Sequence, residues 1–345
     1  MGSSFTTHLQ LQAIRRGVIK FGLYLNCQTS AGGSPEKLAE GLVAQTVAAR
    51  EAGVDMITTG QHYLSSYVQL QQLPLLARLT AEAGSMSVGT GVVLLPLHHP
   101  VEIAEQLTTL DALAENVIAG VGIGYRDVEF ESFGVPKSER VDRFEEGITL
   151  LKHLWTEENV VFDGKYYAVN GVSITPRPRE RLPIWIAANA RPAVRRAARS
   201  GDAWFVNPHS TIAEIEELKV EYDEIREGQG ADTGVPIIRE MFVADSHEEA
   251  VEAARGHLFS KYQAYIDWGQ DEAMEDKRDL HKPFEQLAED RFLLGTPEEV
   301  CAEIERYEED LEAEYIIPRL HWPGMDHEVA IECIERIGDD VVPYV

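Results

Sequence analysis

The chain has 345 residues, of which 44% are hydrophobic and 26% charged, a composition typical of a folded protein that excludes disordered and fibrous classes. Its 31 basic and 58 acidic side chains give a formal net charge of −27 at pH 7, which disfavours nucleic acid and anionic membranes as partners. No apolar run reaches the roughly 20 residues that a membrane-spanning helix needs.

Two features indicate a cytoplasmic protein. Residues 1–16 lack the apolar segment of a secretion signal, so we interpret them as a loose leader and 17–345 as a single domain. Cys27, Cys301 and Cys333 are odd in number and match no disulfide or CxxC framework, which indicates a reducing compartment. The excess of acidic residues fits an ordinary cytosol or a high-salt cytoplasm.

Eight short apolar runs alternate with longer amphipathic segments. Most of these runs are continuously apolar, which is typical of parallel strands covered by helices. The predicted strands are 19–25, 54–59, 87–95, 117–123, 184–187, 203–206, 237–243 and 315–321. The first four begin roughly 30–35 residues apart, which is the length of one βα unit.

Amphipathic helices are predicted between the strands. Ser34 and Pro35 form an N-cap and a first-turn proline. Apolar residues spaced by three and four predict a helix over 141–155, and Thr296 and Glu299 form a capping box before another helix. Eight strands, each followed by a helix, favour an α/β fold of the closed (β/α)8 TIM-barrel type over an open doubly wound sheet.

Two intervals are longer than the repeating unit requires. Residues 160–167 predict a small hairpin with its turn at Asp163 and Gly164. Residues 247–295 exceed one helix and predict a helical insertion between strands seven and eight, which we interpret as a lid or a subunit contact.

In barrels of this kind, functional residues gather where strands end and loops begin. His62 follows the second strand, between Gln61 and Tyr63, and could serve as a general base or as a structural histidine. His321 and Trp322 lie at the end of the eighth strand, where they could line a pocket or pack in the core.

Glycines lie within the third predicted strand and at the end of the fourth. Gly89 and Gly91 would let a flat ligand approach the backbone, or they mark a bulge. Residues 120–124 have the pattern GxGxG but lack the third-glycine spacing and the acidic residue of a dinucleotide fingerprint. Two interpretations stay open: a space for a planar ring beside Tyr125 and Arg126, or tight packing between a strand and a helix.

A helix predicted after the fifth strand could bind phosphate. Pro192 suits its first turn and would leave the backbone N–H groups of Arg191, Ala193 and Val194 exposed at the helix start. Four arginines concentrate positive charge in this acidic chain: Arg191, Arg195, Arg196 and Arg199. The combination predicts a phosphate site, with a solvated basic face as the alternative.

Seven segments of the chain resemble the bacterial luciferase-like family of flavin-dependent oxidoreductases. Four of them are REAGVDMITTGQHY at 50–63, SVGTGVVLLPLHHPVEIAEQLTTLDALA at 87–114, GVGIGYRDVEFESFG at 120–134 and PIWIAANARPAVRRAARSGDAWF at 183–205. The others lie at 143–155, at 162–167 and at 295–300 with 320–325. The similarity covers nearly the whole chain from about residue 19.

The resemblance implies a (β/α)8 barrel whose mouth holds FMN or, in one branch, the deazaflavin coenzyme F-420. It also implies that His62 is the catalytic base. The residues expected to contact the cofactor ring are Thr90, Gly91, Gly122, Gly124, Tyr125 and Arg126. Those expected to contact its phosphate are Asn189, Ala190, Arg191 and Ala193. The expected substrate pocket contains Gln61, Tyr63, His321 and Trp322.

The chain departs from the family pattern at three places. Gln61 and Tyr63 replace a Glu and a second His around His62, so light emission is not implied. Gly122 replaces a reactive cysteine of luciferase. Residues 114–117 are Ala-Glu-Asn-Val where the family usually has Ser-Gly-Gly-Arg, which puts the contact of that arginine in doubt.

The resemblance implies, as the leading hypothesis, a two-component monooxygenase that oxygenates a small organic substrate, using O2 and reduced FMN from a separate reductase. One alternative is hydride transfer with coenzyme F-420, which the same ring site would serve. A second alternative is a flavin-binding barrel without turnover. The resemblance suggests a homodimer. No metal site is expected, since adjacent His98 and His99 would point to opposite sides of an extended chain.

Overall fold

The computed structural model describes residues 19–274 and 278–345, so the predicted leader at 1–16 lies outside the described residues. These residues form fourteen strands: β1 (Lys20–Tyr24), β2 (Gln28–Thr29), β3 (Met56–Thr59), β4 (Val68–Gln69), β5 (Ser87–Thr90), β6 (Val93–Leu94), β7 (Asn116–Gly122), β8 (Val160–Asp163), β9 (Ala168–Val172), β10 (Ile184–Ala188), β11 (Ala203–Val206), β12 (Val235–Val243), β13 (Phe292–Gly295) and β14 (Ala313–Arg319).

The described residues also form eleven α-helices: α1 (Pro35–Glu51), α2 (Gln72–Ala83), α3 (Pro100–Leu113), α4 (Asp127–Ser132), α5 (Arg140–Thr156), α6 (Arg191–Ser200), α7 (Ile212–Gly228), α8 (His247–Asp267), α9 (Phe284–Ala288), α10 (Pro297–Leu311) and α11 (His327–Asp340). Short 3-10 turns lie at Leu95–Leu97, Lys137–Glu139, Asp271–Ala273, Asp279–His281 and Val342–Tyr344. Within the described ranges, no helix combines the length and the apolarity that crossing a bilayer requires.

Eight strands close a parallel barrel. Their order is β10, β11, β12, β14, β1, β3, β5 and β7, and β7 pairs with β10 to complete the ring. Each of the eight predicted apolar runs supplies one barrel strand, and helices cover the outside. The predicted (β/α)8 barrel is therefore confirmed, because the pairing of β7 with β10 closes the sheet and leaves no open edge.

Bulky side chains fill the barrel beneath the carboxyl ends of the strands. The ring of Trp185 lies 5.3 Å from the rings of both Phe205 and Tyr315, within a buried cluster inside the barrel. Gly120 lets neighbouring strands approach, since a Cβ there would lie 1.8 Å from the carbonyl oxygen of Thr90. The barrel is thus plugged below, and ligand-sized space is left at its mouth.

The predicted helix starts are confirmed. The hydroxyl of Ser34 accepts a hydrogen bond from the N–H of Lys37 at the start of α1. Thr296 and Glu299 form both hydrogen bonds of a capping box at the start of α10. α5 spans Arg140–Thr156 and includes the predicted stripe over 141–155.

The strand predicted over 87–95 is broken in two. β5 ends at Thr90, the peptide bond between Gly91 and Val92 is cis, and β6 continues at Val93 beside β7. The apolar pattern did not indicate this break, because it continues through the bend. Gly91 consequently lies at the barrel mouth.

One insertion matches the prediction and the other contains a strand that was missed. β8 and β9 form the predicted antiparallel hairpin. Between β12 and β14, the chain forms α8, α9 and then β13, which pairs in parallel with β12 from Glu240–Phe292 to Val243–Gly295. Periodicity cannot separate a four-residue apolar run from a short helical segment, so β13 was not predicted. The proposed lid or subunit role of this insertion stays a prediction.

Candidate active site

The carboxyl ends of the eight barrel strands surround a cavity of about 400 Å³. Every barrel strand, or the loop that follows it, supplies part of the wall, and Tyr265 of α8 contributes from one side. A larger groove of about 730 Å³ lies outside the barrel between α8, α9 and α10, and none of the described barrel strands lines it. Because barrel proteins bind their ligands at the strand ends, the cavity is the candidate active site.

The cavity brings most of the predicted site residues together. Nine of them line it: Gln61, His62, Gly91, Gly122, Gly124, Tyr125, Asn189, Ala190 and Ala193. Six are not among its lining residues: Tyr63, Thr90, Arg126, Arg191, His321 and Trp322. Position after a strand led to the end of the barrel where the cavity lies, but it did not determine which way each side chain points.

His62 lies against a buried carboxylate. Its Nδ1 is 3.4 Å from Oε1 of Glu129 on α4, and the side chain of Glu129 is only 1% exposed. This is ion-pair distance, although no hydrogen bond is aligned between the two groups. The imidazole ring also lies 5.1 Å from the ring of Trp268 and meets Tyr125 edge to face at 6.0 Å. A carboxylate and two aromatic rings therefore hold a histidine at the cavity wall.

Arg126 and Tyr63 position the loop that carries His62. Arg126 is 5% exposed, and its guanidinium donates to Glu129 at 3.0 Å and to the carbonyl oxygen of Tyr63 at 2.6 Å. The hydroxyl of Tyr63 shares a hydrogen bond of 3.0 Å with Nε2 of His98, outside the cavity. The expected contacts of Arg126 with a ring and of Tyr63 with a substrate are corrected accordingly, because both side chains are engaged in holding the loop.

The glycines at the mouth lie where two backbones come close. A Cβ at Gly60 would be 2.2 Å from the hydroxyl of Tyr24 and 2.5 Å from the carbonyl oxygen of Gly91. Thr90, in contrast, is 1% exposed and donates its hydroxyl to the carbonyl oxygen of Gly120 at 2.7 Å. Thr90 therefore ties β5 to β7, and its expected contact with a ring is corrected to a structural bond.

The start of α6 differs from the prediction in its hydrogen bonds. The N–H groups of Ala193 and Val194 both donate to the carbonyl oxygen of Ala190, so they are not available at the helix start. Arg191 pairs with Glu217 of α7 at 2.6 Å, and Arg195 pairs with Glu221. Two of the four arginines thus face α7, and Arg191 lies outside the cavity lining, so its expected role at a phosphate stays a prediction.

Positive charge reaches the cavity from two other places. Arg196 of α6 lines it, and its Nε donates to Glu145 of α5 at 2.8 Å. Arg140, the first residue of α5, also lines it, and its buried Nε has no hydrogen-bond partner among the described residues. Arg140 was not among the predicted site residues, because it lies far from any barrel strand along the chain.

His321 and Trp322 pack away from the mouth. The ring of His321 stacks on that of His327 at 4.4 Å, and burial together with His327 lowers the pKa of His321 to about 4. Trp322 is fully buried and donates its indole N–H to Glu240 at 2.6 Å. Both predictions of a pocket role are corrected, because the segment after β14 turns toward α11.

A buried ion cluster that the sequence analysis missed lies beside the cavity. Glu240 of β12 accepts two hydrogen bonds from Arg319 of β14 and lies 3.4 Å from Nζ of Lys261 on α8. Burial alone would raise the pKa of Glu240, but Arg319 and Lys261 lower it to about 2. Arg319 lines the cavity with its charge compensated, and it also donates to the hydroxyl of Tyr265.

His209 is a second histidine in the cavity wall and was also missed. It follows β11, is 6% exposed, and neither ring nitrogen has a hydrogen-bond partner among the described residues. Burial, reinforced by Arg319, lowers its pKa well below the ordinary value, so the ring is neutral. The rule that selected His62, a histidine just after a barrel strand, would have found it.

A model of the luciferase-like monooxygenase family matches residues 19–312. The chain belongs to this family. Its barrel fold and its oxidoreductase relatives agree with the resemblance described above. Named relatives include the F420-dependent glucose-6-phosphate dehydrogenases of Kineococcus radiotolerans and Amycolatopsis mediterranei. They are 27% and 28% identical, over 90% and 88% of this chain and 95% and 93% of their own lengths.

Other matches are shorter or more distant in sequence. An F420-dependent glucose-6-phosphate dehydrogenase of Intrasporangium calvum is 33% identical, but over 47% of this chain and 52% of its own length. Among solved structures, the monooxygenase RslO1 of Streptomyces bottropensis has a TM-score of 0.85 at 22% identity, covering 94% of this chain and 99% of its own. An F420-dependent secondary alcohol dehydrogenase has a TM-score of 0.77 at 17% identity, covering 95% and 99%. At 22% and 17% identity, the two solved structures support the barrel fold alone.

Proposed function

We propose that this protein is a deazaflavin-dependent oxidoreductase that interconverts an alcohol and a carbonyl compound by hydride transfer with coenzyme F-420. The observation that carries this proposal is the pairing of His62 with the buried carboxylate of Glu129 at the cavity wall. The choice of coenzyme is supported by the named relatives that match most of the chain. Hydride transfer with coenzyme F-420, the first alternative given above, therefore replaces the monooxygenase reaction with FMN and O2 as the leading hypothesis.

The residues present fit a planar, phosphate-bearing cofactor. Gly60, Gly91 and Gly122 line the cavity, so part of its wall is backbone that a flat ring can meet. Arg140 and Arg196 supply positive charge at the same cavity, and the buried Nε of Arg140 lacks a partner among the described residues. An anionic group beside these two side chains would satisfy that donor.

The chemistry assigned to this chain is proton transfer at the substrate oxygen. When bound, a deazaflavin supplies the acceptor or donor of a hydride, which carries two electrons. Alcohol oxidation also releases the hydroxyl proton, and Nε2 of His62 is the nitrogen left to take it, since Nδ1 faces Glu129. The buried carboxylate of Glu129 then stabilises the protonated imidazole, and Trp268 beside the ring limits access of water.

Parallel titrations with coenzyme F-420 and FMN test the proposed function. We expect the purified protein to bind the deazaflavin at least tenfold more tightly than FMN. We also expect a loss of the deazaflavin's visible absorbance when a suitable alcohol is added. Tighter binding of FMN, with reaction of its reduced form with oxygen and substrate, would instead support the two-component monooxygenase.

Removing Arg140 should weaken cofactor binding. A hydrogen bond to a charged group contributes about 1.5–3 kcal/mol, so Arg140→Ala is expected to raise the Kd of the deazaflavin roughly 10- to 100-fold. Fluorescence titration of the coenzyme measures this change. Arg195→Ala is the matched control, because Arg195 pairs with Glu221 and lies outside the cavity lining, and it should change the Kd less than about twofold. Equal Kd values for both variants would exclude Arg140 from the phosphate site.

A further inference from the structure

We propose that the substrate is an uncharged alcohol or ketone and that the neutral side chains of His209, Asn26 and Gln270 hydrogen-bond its oxygen atoms. This inference rests on the proposed function and specifies its substrate class. It also separates this chain from the sugar phosphate named for its dehydrogenase relatives.

Few charged side chains line the cavity. Among the described residues that line the cavity, the charged side chains other than histidine are Arg140, Arg196 and Arg319. Arg319 is neutralised by two hydrogen bonds to the buried Glu240. Arg140 of α5 and Arg196 of α6 both line the cavity, Arg196 pairs with Glu145 of α5, and the proposed function assigns the two arginines to the cofactor phosphate. No cation of the described wall is left to bind a second phosphate.

Three neutral polar side chains in the cavity wall have buried atoms without hydrogen-bond partners. Nδ2 of Asn26, Nε2 of Gln270 and both ring nitrogens of His209 are buried and have no hydrogen-bond partner among the described residues. All three side chains line the cavity, and each residue is at least nine-tenths buried. Buried polar groups are usually hydrogen-bonded, so these donors and acceptors point to a ligand that carries hydroxyl or carbonyl oxygens.

The imidazole of His209 lies in a positively charged environment. Arg319, Lys261 and Arg291 surround it with positive charge, opposed by Glu240, and the ring meets Tyr265 edge to face at 4.8 Å. Burial in this positive environment keeps the imidazole neutral, with one nitrogen donating and the other accepting. A neutral imidazole can bind an alcohol or a ketone oxygen, whereas it offers a phosphate dianion no compensating charge.

The experiment compares glucose and glucose 6-phosphate, which differ only in the phosphate. Both are titrated into the protein loaded with coenzyme F-420, and neutral secondary alcohols such as cyclohexanol are assayed for reduction of the coenzyme. We expect no more than a threefold gain in affinity from the phosphate, and turnover with at least one neutral alcohol. A gain above threefold, or the absence of turnover with every neutral alcohol, overturns the inference while the proposed cofactor stands. Failure to bind coenzyme F-420 overturns both proposals.

Variants of His209 provide a second readout. His209→Ala should raise the KM for the neutral alcohol about tenfold, lower kcat less than threefold and leave the Kd of the coenzyme unchanged. His209→Gln, which restores a neutral donor and acceptor, should recover most of the lost KM. A rise in KM that glutamine does not rescue, or an equal loss with His247→Ala at an exposed position, would assign His209 a structural role.

Discussion

Replacement of His62 by alanine is expected to lower kcat for reduction of the bound deazaflavin by about 100- to 10,000-fold, the usual contribution of a general base. The Kd of the coenzyme should stay within about threefold, because a base acts on the substrate proton and not on the cofactor phosphate. The reason lies in the position of His62 at the cavity wall, where its Nδ1 is 3.4 Å from Oε1 of Glu129. Steady-state kinetics and a coenzyme titration on the same preparation measure both values.

Two further variants separate catalysis from folding. Glu129→Gln keeps the size of the side chain and removes its charge, so it should lower kcat by at least tenfold through loss of support for the charged imidazole. His99→Asn is the matched control: His99 is exposed and caps α3 through its Nδ1, and asparagine can replace that cap. Its kcat should stay within about twofold of the unaltered protein. Unchanged kcat in His62→Ala would remove His62 as the base.

The barrel could be predicted because its strands obey one simple rule. A wall buried on both faces requires continuously apolar strands, and eight such runs separated by amphipathic segments leave few other folds. β13 was not predicted because it is short and lies outside the order of the barrel strands. It pairs with the carboxyl-terminal part of β12. The bend at Gly91 was not predicted either, because apolar residues continue on both sides of it and the pattern reads as one strand.

The site could be predicted to the level of strand ends but not of side-chain direction. Residues just after a strand can point into the mouth, as His62 does, or back into the wall, as Arg126 and Trp322 do. The difference depends on partners that are remote in sequence. Trp322, for example, donates a hydrogen bond to Glu240 of β12, and no local sequence pattern around Trp322 predicts that bond.

Charge was the second quantity that the sequence could not resolve. Four arginines in one helix predicted a phosphate site, yet two of them pair with acidic residues of α7. Arg140, more than fifty residues earlier in the chain, reaches the cavity instead. An arginine's availability depends on which carboxylates lie opposite it, and helix-to-helix contacts set that.

The buried cluster around Glu240 should make stability depend on pH. Its carboxyl is fully buried, and its pKa falls from an ordinary value of 4.5 to about 2 because Arg319 and Lys261 outweigh the effect of burial. A carboxyl whose pKa is lower in the folded state stabilises the protein above its unfolded pKa, and this contribution is lost as the pH falls toward the folded value. The shift corresponds to about 3 kcal/mol at pH 7, of which about 1 kcal/mol is already lost at pH 3.5.

Glu240→Gln isolates this contribution from the other acidic groups of the chain. At pH 7 the variant should unfold with a free energy about 3–5 kcal/mol lower, since Arg319 and Lys261 lose their buried partner. The gap should narrow as the pH falls from 5 toward 2, because the carboxyl of the unaltered protein then also loses its charge. Urea unfolding at a series of pH values measures the gap. Glu314→Gln, which removes an exposed partner of Lys20, should change stability by less than about 1 kcal/mol at every pH. A gap between Glu240→Gln and the unaltered protein that stays constant down to pH 3 would mean that Glu240 is not held ionised by this cluster.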